Sequence, residues 1–470
     1  MKKLSIVIAT YNRRKYLKNC LHSILQGNIE VDYEIVVVDG GSTDGTQEFL
    51  MKQPYTRIIE DKREGPTKAY NQGIRAAEGE YVCWLNDDLM LVNDSLMNLL
   101  NFLEREKGNR VEIIGAFYFS EVEENNFDIR STFGLPDASF GMAKTSVMKK
   151  LKYFDETFVR FHSDSDINLR AWERGLVTVG VREAKLKHYL VDDHIRKDFA
   201  LQGYDDYRVF LKRWNYHRVK RLIFSIKEKL IDKYLEKNSY WQYFLVKALF
   251  LQEEGELGKS DYLIKKIYLL LDEVTELNSG WAYEWGLGVA KDIFYESKKF
   301  NTAERWFKFI ISLKDNCSKN IRVTSLIHLG NLYSQQGKFS EAEEKLREAI
   351  SLEPKDKSRV VSIYYAMGSN YEKQGKLDKA KEKFNEVIEL SKEFASYNSN
   401  KYIGGAHFHL GCIYKGLNRT EETRHHLEEC LRFTPQHRKA RESLMFYSLE
   451  PKHLSSYLST LPSPLRMTDK

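Results

Sequence analysis

Cysteine and proline are scarce in this chain, and it has no long apolar run. Its five cysteines (Cys20, Cys83, Cys317, Cys412 and Cys430) stand far apart. An odd, scattered set without zinc-ligand spacing excludes a disulfide framework and fits buried thiols in a reducing compartment. No window approaches the ~20 apolar residues of a spanning helix. The first apolar run, Leu4 to Ala9, is too short for a secretory signal and is soon followed by the polar Tyr11–Lys15. A cytoplasmic location is expected, with peripheral contact at a membrane left open. A strong charge bias is also missing. A net charge of +6 over 470 residues is mild and does not demand nucleic acid. With 42% hydrophobic and 30% charged residues, the composition is that of a soluble chain of two or three domains.

What is present is a run of short apolar segments, each ending in polar or acidic residues. Leu4–Thr10 reads as a strand buried on both faces, followed by the loop Tyr11-Asn12-Arg13. Leu17, Leu21, Ile24 and Leu25 then recur at helical spacing. Tyr33–Val38 is a second strand and runs into Asp39-Gly40-Gly41-Ser42-Thr43-Asp44-Gly45-Thr46, where Asp44 or Thr46 can cap a helix. Ile58–Glu60 reads as a third strand, and Gly65-Pro66-Thr67 opens a helix carrying Lys68, Asn71 and Ile74. Tyr81–Leu85 is a fourth strand and ends in Asn86-Asp87-Asp88. Adjacent carboxylates repel unless something positive neutralises them. A hard divalent cation carried on a nucleotide's phosphates would do so. A simple Asn-Asp-Asp turn capping a helix is the plainer alternative.

Strands alternating with helices predict a doubly wound, mostly parallel sheet, in which ligands bind beyond the strands' carboxyl ends. Thr10–Asn12, Asp39–Asp44 and Asn86–Asp88 would meet on that edge.

Ser5–Asn12, Glu34–Thr46, Gly65–Gly73 and Leu85–Asp88 resemble, in order and spacing, the family 2 glycosyltransferases. The resemblance covers roughly residues 3–190. It implies a GT-A fold, a nucleotide-sugar donor, a divalent metal (Mn2+ or Mg2+) and inversion at the anomeric carbon. It would place Thr10, Tyr11, Asn12, Gly41 and Ser42 along the nucleoside, with Asp39 accepting from the base. Lys68, Asn71 and Asn86 would face the nucleotide-sugar. Asp87 would contact the ribose or a metal-bound water, and Asp88 would hold the metal on the diphosphate. Asp39 suits a uracil, so a UDP-sugar is expected first and a dTDP-sugar second. Tyr153-Phe154-Asp155-Glu156 stands where relatives carry Gly-Gly-Phe-Asp-Glu, with Lys152 and Tyr153 at the glycine positions. Ser163-Asp164-Ser165-Asp166 stands where they carry Glu-Asp-x-Asp, with serine in place of the glutamate. An acceptor hydroxyl needs a base to take its proton. Asp164 is the expected base and Asp166 the next candidate; both could instead be helix caps or complement the helix dipole. His188, after the strand-like Val177–Lys187, is a candidate metal ligand, with Asp193 and His194 as competitors and a lone surface histidine as the plain alternative.

The expected boundaries are 1–206 for the transferase domain, 207–239 for a basic amphipathic linker, 240–450 for helical repeats and 451–470 for a tail. The linker could touch anionic lipid or pack as a connecting helix. Beyond Tyr240, Leu329-Gly330…Tyr333…Gly337…Ala342, Met367-Gly368…Tyr371…Gly375…Ala380 and Leu410-Gly411…Tyr414 repeat and are similar to tetratricopeptide repeats. Ala303–Phe307 and Trp241–Leu270 are fainter candidates. Their spacing exceeds the usual ~34 residues, so helices or loops should be lengthened. Such an array presents a concave face to a protein acceptor or partner, or to a second copy of the chain. A non-catalytic scaffold that keeps a sugar-nucleotide fold is the alternative of another class.

Overall fold

A computed structural model describes residues 2–53, 56–122, 125, 127–189, 200–235, 237–273, 300–313, 319–352, 354, 357–392, 397–435 and 437–445. Asp193, His194 and the 451–470 tail lie outside them. The chain divides into two compact units, Met1–Thr302 and Ala303–Lys470.

The first unit is built on an eight-stranded sheet of order β3-β2-β1-β4-β9-β6-β10-β5. Its strands are β1 (Leu4–Thr10), β2 (Tyr33–Asp39), β3 (Thr56–Glu60), β4 (Tyr81–Asn86), β5 (Leu89–Leu91), β6 (Ile113–Glu121), β9 (Gly141–Lys144) and β10 (Val177–His188). A two-residue hairpin, β7 (Ser131–Thr132) with β8 (Leu135–Pro136), stands apart. β1 pairs in parallel with both β2 and β4. The strand order therefore turns at β1, the kind of switch point at which open α/β sheets bind ligands. The register sets Thr10 beside Asp39 and Ala9 beside Asn86, so the acidic strand ends lie on one edge. β9 runs antiparallel between β4 and β6. Ile6, Val7 and Ile8 of β1 and Val36, Val37 and Val38 of β2 are sealed from solvent, as a doubly covered sheet requires.

The helices α1 (Arg14–Gln26), α2 (Thr46–Leu50), α3 (Pro66–Ala76), α4 (Ser95–Arg105), α5 (Thr145–Lys150) and α6 (Ser163–Glu173) flank the sheet. α1 buries Leu17, Cys20, Leu21 and Ile24, whereas Leu25 is 38% exposed. Cys20 takes the core position that the sequence pattern gave to Leu25.

The basic stretch after residue 206 is a packed connection. Helices α7 (Ala200–Arg213), α8 (Tyr216–Ser225), α9 (Glu228–Tyr234), α10 (Lys237–Glu253) and α11 (Leu257–Glu273) fall in the first unit. Phe210, Trp214, Tyr216, Leu222 and Ile223 are buried, and Arg213, Arg218 and Lys220 pair with Asp155, Glu173 and Glu254. The Tyr243 hydroxyl donates to the Ile223 carbonyl at 3.0 Å, and Ser131 Oγ to Gln242 Oε1 at 3.2 Å. A cut at residue 240 would thus pass through a packed unit. α10 and α11, the region of the faint Trp241–Leu270 repeat, belong to this unit by the same grouping.

In the second unit every described element is a helix: α12 (Phe300–Ser312, which starts at the boundary), α13 (Lys319–Gln335), α14 (Phe339–Ser351), α15 (Lys357–Lys373), α16 (Leu377–Lys392), α17 (Tyr397–Gly416), α18 (Thr420–Phe433) and α19 (Arg438–Met445). The crossings are close, as the small residues predict. A Cβ on Gly330 would stand 2.8 Å from Leu346, and one on Gly368 2.8 Å from Phe384. The turns repeat as well. Gly337, Gly375 and Asn418 share a positive φ, and Lys338, Lys376 and Arg419 each return an N–H to the carbonyl of Tyr333, Tyr371 and Tyr414. Lengthened elements are present: α13 and α15 have 17 residues each and α17 has 20.

Candidate active site

The site is assembled from four chain segments. The first is the acidic pair at the end of β4. Asp88 is fully buried and Asp87 nearly so. Thr10 Oγ1 donates to Asp87 Oδ2 at 2.8 Å. Arg13, in the loop after β1, places Nη1 3.3 Å from Asp87 Oδ1 and 3.2 Å from Asp88 Oδ2. The remaining Asp88 oxygen, Oδ1, faces His188 Nε2 at 3.2 Å. Burial and the neighbouring Asp88 push the Asp87 carboxyl up to about 7, against the opposing pull of Arg13 and Thr10. The sequence-predicted pair Asp88 and His188 is thus brought together, and the imidazole is mostly buried against Phe119 and Phe140 rather than lying at the surface.

The second segment is the loop after β2. Asp39 is fully buried and accepts from Ser42 through N–H and Oγ and from Gln47 Nε2 at 2.9 Å. Asn12 donates its N–H to Ser42 Oγ at 2.8 Å and accepts from Thr43 N at 2.7 Å. In this conformation Asp39 shapes the loop. Gly41, with φ +79°, has open space beside it, and Tyr11 carries the Arg63 guanidinium over its ring at 4.0 Å.

The third segment is α3 with the loop that ends β4. Tyr70 donates to Asn86 Oδ1 and to the Leu85 carbonyl. Its buried phenol is raised well above its ordinary pKa, first by burial and then by the charges of Asp87, Asp88 and Asp164. Asn71 and Lys68 of α3 both have partners within the chain. Asn71 is turned to the 153–156 loop. It is fully buried, donates to the Phe154 carbonyl (2.8 Å) and Glu156 (2.9 Å), and accepts from Phe154 N–H, so its amide is spent on the 153–156 loop. Lys68 is partly exposed and pairs with Glu64 at 3.3 Å.

The fourth segment is the start of α6 with the hairpin β7–β8. The hairpin turns through Phe133 and Gly134, both at positive φ, and sets Arg130 and Asp137 side by side. Arg130 bonds Asp164 Oδ2 through Nη2 and Asp137 Oδ2 through Nε at 3.3 Å. Ser139 Oγ also donates to Asp164, at 2.8 Å. Burial alone would raise the Asp164 carboxyl, but Arg130, Ser139 and the Ser165 N–H outweigh it and hold it below the usual range. Its side chain keeps a fifth of its surface open. Asp137 is buried, its Oδ1 has no hydrogen-bond partner, and burial pushes it up to about 6. Asp166, the next candidate, is fully buried and held by Arg170 Nε (2.7 Å), Trp214 Nε1 (2.9 Å) and Arg213 Nη1 (3.3 Å).

Two consecutive residues tie the halves together. Ser139 bonds Asp164, and the Phe140 ring packs against His188, which faces Asp88. The carboxylate with access to solvent and the buried carboxylate–imidazole pair therefore flank one dipeptide.

Two parts of the chain match known families. Residues 5–165 match the family model described as Glycosyl transferase family 2. Residues 323–356 and 361–394, and separately 405–437, match tetratricopeptide repeat models.

The amino-terminal part of the chain is a family 2 glycosyltransferase domain, and tetratricopeptide repeats follow it.

The transferase-family match stops inside α6, so Asp166, Trp214 and His188 lie beyond it. A stretch of 129 residues is 33% identical to glycosyltransferase GlyG of Streptococcus pneumoniae serotype 4, covering 26% of this chain and 42% of that protein. One of 114 residues is 31% identical to a poly(ribitol-phosphate) beta-glucosyltransferase of Bacillus spizizenii, covering 23% and 18%. The match spans less than half the length of either relative. Among solved structures, S. aureus TarS aligns with a TM-score of 0.35 and 16% identity, over 53% of this chain and 49% of that one. TarS 1–349 in complex with UDP aligns at 0.34 and 15%, over 57% and 91%.

Sequence reasoning missed Arg13, Arg130, Ser139 and Asp137 in the candidate site. Arg13 had a usable signal, because it belongs to the loop at the end of β1, the strand beside β4. Arg130 and Asp137 sit in a stretch without periodicity, and only the hairpin brings them to α6.

A divalent cation fits the donors present. Asp88 and His188 offer one carboxylate oxygen and one imidazole nitrogen to the same space, a set that suits Mn2+ better than Mg2+. Among the described residues no three His, Cys, Asp or Glu side chains group to hold a metal by themselves.

Proposed function

We propose that this chain transfers a sugar from a nucleotide-sugar, a UDP-sugar first and a dTDP-sugar second, to an acceptor hydroxyl with inversion. The observation that carries this reading is the Ser139-Phe140 bridge between Asp164 on one side and His188 with Asp88 on the other. Asp164 is ionised at neutral pH and partly open, so it can take the acceptor proton as the hydroxyl attacks. Arg130 and Ser139 fix its direction. Asp166, closed off by Arg170 and Trp214, leaves one available carboxylate on this side, which suits a single displacement rather than a covalent intermediate. Asp88 and His188 would hold Mn2+ or Mg2+, which as a Lewis acid stabilises charge on the departing diphosphate. Thr10, Asn12, Gly41 and Ser42 line the strand edge proposed for the nucleoside.

The repeats would recruit a protein acceptor or partner, in keeping with the concave faces of stacked helix pairs. A bacterial surface or secreted protein, or a glycan on a lipid, is the proposed acceptor. No described helix is long and apolar enough to cross a membrane. Incubating the full chain with a panel of nucleotide-sugars and Mn2+ tests the reading. Release of one nucleoside diphosphate, lost in Asp88→Ala, supports it. No release with any donor contradicts it.

A further inference from the structure

Arg13 raises a question of charge that the proposed metal reading leaves open. Asp87 and Asp88 are both closed to solvent, and one guanidinium nitrogen stands 3.3 Å and 3.2 Å from them. These three side chains carry at most two negative charges against one positive charge. A divalent cation joining them alone would leave a net charge of at least +1 and would set two cations side by side in a water-poor site. Like charges at such a separation repel strongly where water is excluded. A nucleoside diphosphate arriving with the cation brings the compensating negative charge and offers Arg13 a second acceptor. Arginine's planar fork suits phosphate oxygens as well as carboxylates.

We infer that Arg13 is a resident counter-ion of the Asp87–Asp88 pair that makes cation binding depend on the nucleotide diphosphate. The inference rests on the proposed metal site at Asp88 and His188. The charge already in place would keep the free enzyme from filling with loose divalent ions and would couple metal to donor.

The test is direct titration of Mn2+, read by the electron paramagnetic resonance of the free ion, on the full chain, with and without UDP, dTDP or GDP in turn. Wild-type protein should take up Mn2+ weakly alone and at least tenfold more tightly with the matching nucleotide. Arg13→Gln should bind Mn2+ alone at least tenfold more tightly than wild type and show a smaller gain from nucleotide. Its melting temperature without metal should fall, and Mn2+ should restore more of it than it adds to wild type. Arg13→Lys keeps the charge and should behave as wild type, which holds the test open if the glutamine variant folds poorly. Mn2+ affinity in Arg13→Gln no greater than in wild type, or a lysine variant that binds Mn2+ alone more tightly, overturns the inference while leaving the metal site standing. No Mn2+ uptake by any of the proteins, with nucleotide bound, overturns the metal reading and this inference together.

Discussion

Arg130 sets what Asp164 can be. A carboxylate held by a guanidinium and a serine stays ionised to low pH, so the acid limb of kcat should lie below the ordinary carboxylate range. Asp164→Asn should lower kcat by ~10²–10⁴-fold while nucleotide affinity holds, which single-turnover kinetics and calorimetry would separate. Asp137 gives a stability signature. Its folded value of about 6 exceeds the ordinary one near 3.9, so between these pH values the native state binds more protons than the unfolded state. Stability should therefore fall as pH rises from about 4 to about 6. Asp137→Asn should flatten that slope in urea midpoints measured against pH; an unchanged slope would assign the titration elsewhere. Lys152 and Tyr153 stand where the resemblance expected glycines, and both are left-handed, with φ of 60° and 61°. The backbone takes a conformation that favours glycine although neither residue is glycine. Lys152 is exposed, so Lys152→Gly should stabilise by ~0.5–1 kcal/mol after glycine's own entropy cost, seen as a higher urea midpoint.

At the scale of elements, α7 and α8 brace the site from outside the matched family domain. Asp206 accepts the N–H groups of Val159 (3.1 Å), Arg160 (2.9 Å) and Phe161 (2.8 Å), and Trp214 and Arg213 grip Asp166 one helical turn into α6. Trp214→Phe leaves a buried carboxylate short of a donor and should cost ~1–3 kcal/mol in chemical unfolding. In the repeats, Gly368→Ala drives a Cβ into the Phe384 ring and should cost ~1–3 kcal/mol without changing nucleotide binding. The strands, the acidic edge and the close repeat crossings were legible in the sequence, because buried runs, strand-end carboxylates and periodic small residues are local signals. The partners of Asn71 and Asp166 were not legible. Each looks like a site residue by its place in a motif, and the structure ties it to a partner 83 or 48 residues away. The role of the basic stretch was undecided for a similar reason: an amphipathic helix reads alike whether its apolar face meets lipid or protein.

For the whole molecule, the division near residue 302 gives the natural place to separate the two units. A chain ending at 302 should bind nucleotide and release it from the donor, whereas one ending at 240 loses the α10 contacts to Ile223 and Ser131 and should unfold at lower temperature. Loss of acceptor modification with retained nucleotide release in the 302-residue chain would place recruitment in the repeats. Asp88 at the sheet edge and His188 are proposed to gather one cation for a nucleotide diphosphate. The decisive experiment is calorimetric titration of UDP and dTDP into the full chain, with and without Mn2+. One nucleotide should bind at least tenfold more tightly with Mn2+, and Asp88→Ala should abolish that gain. Equal affinity with and without the ion, or an Asp88→Ala variant that keeps the gain, would contradict this proposal.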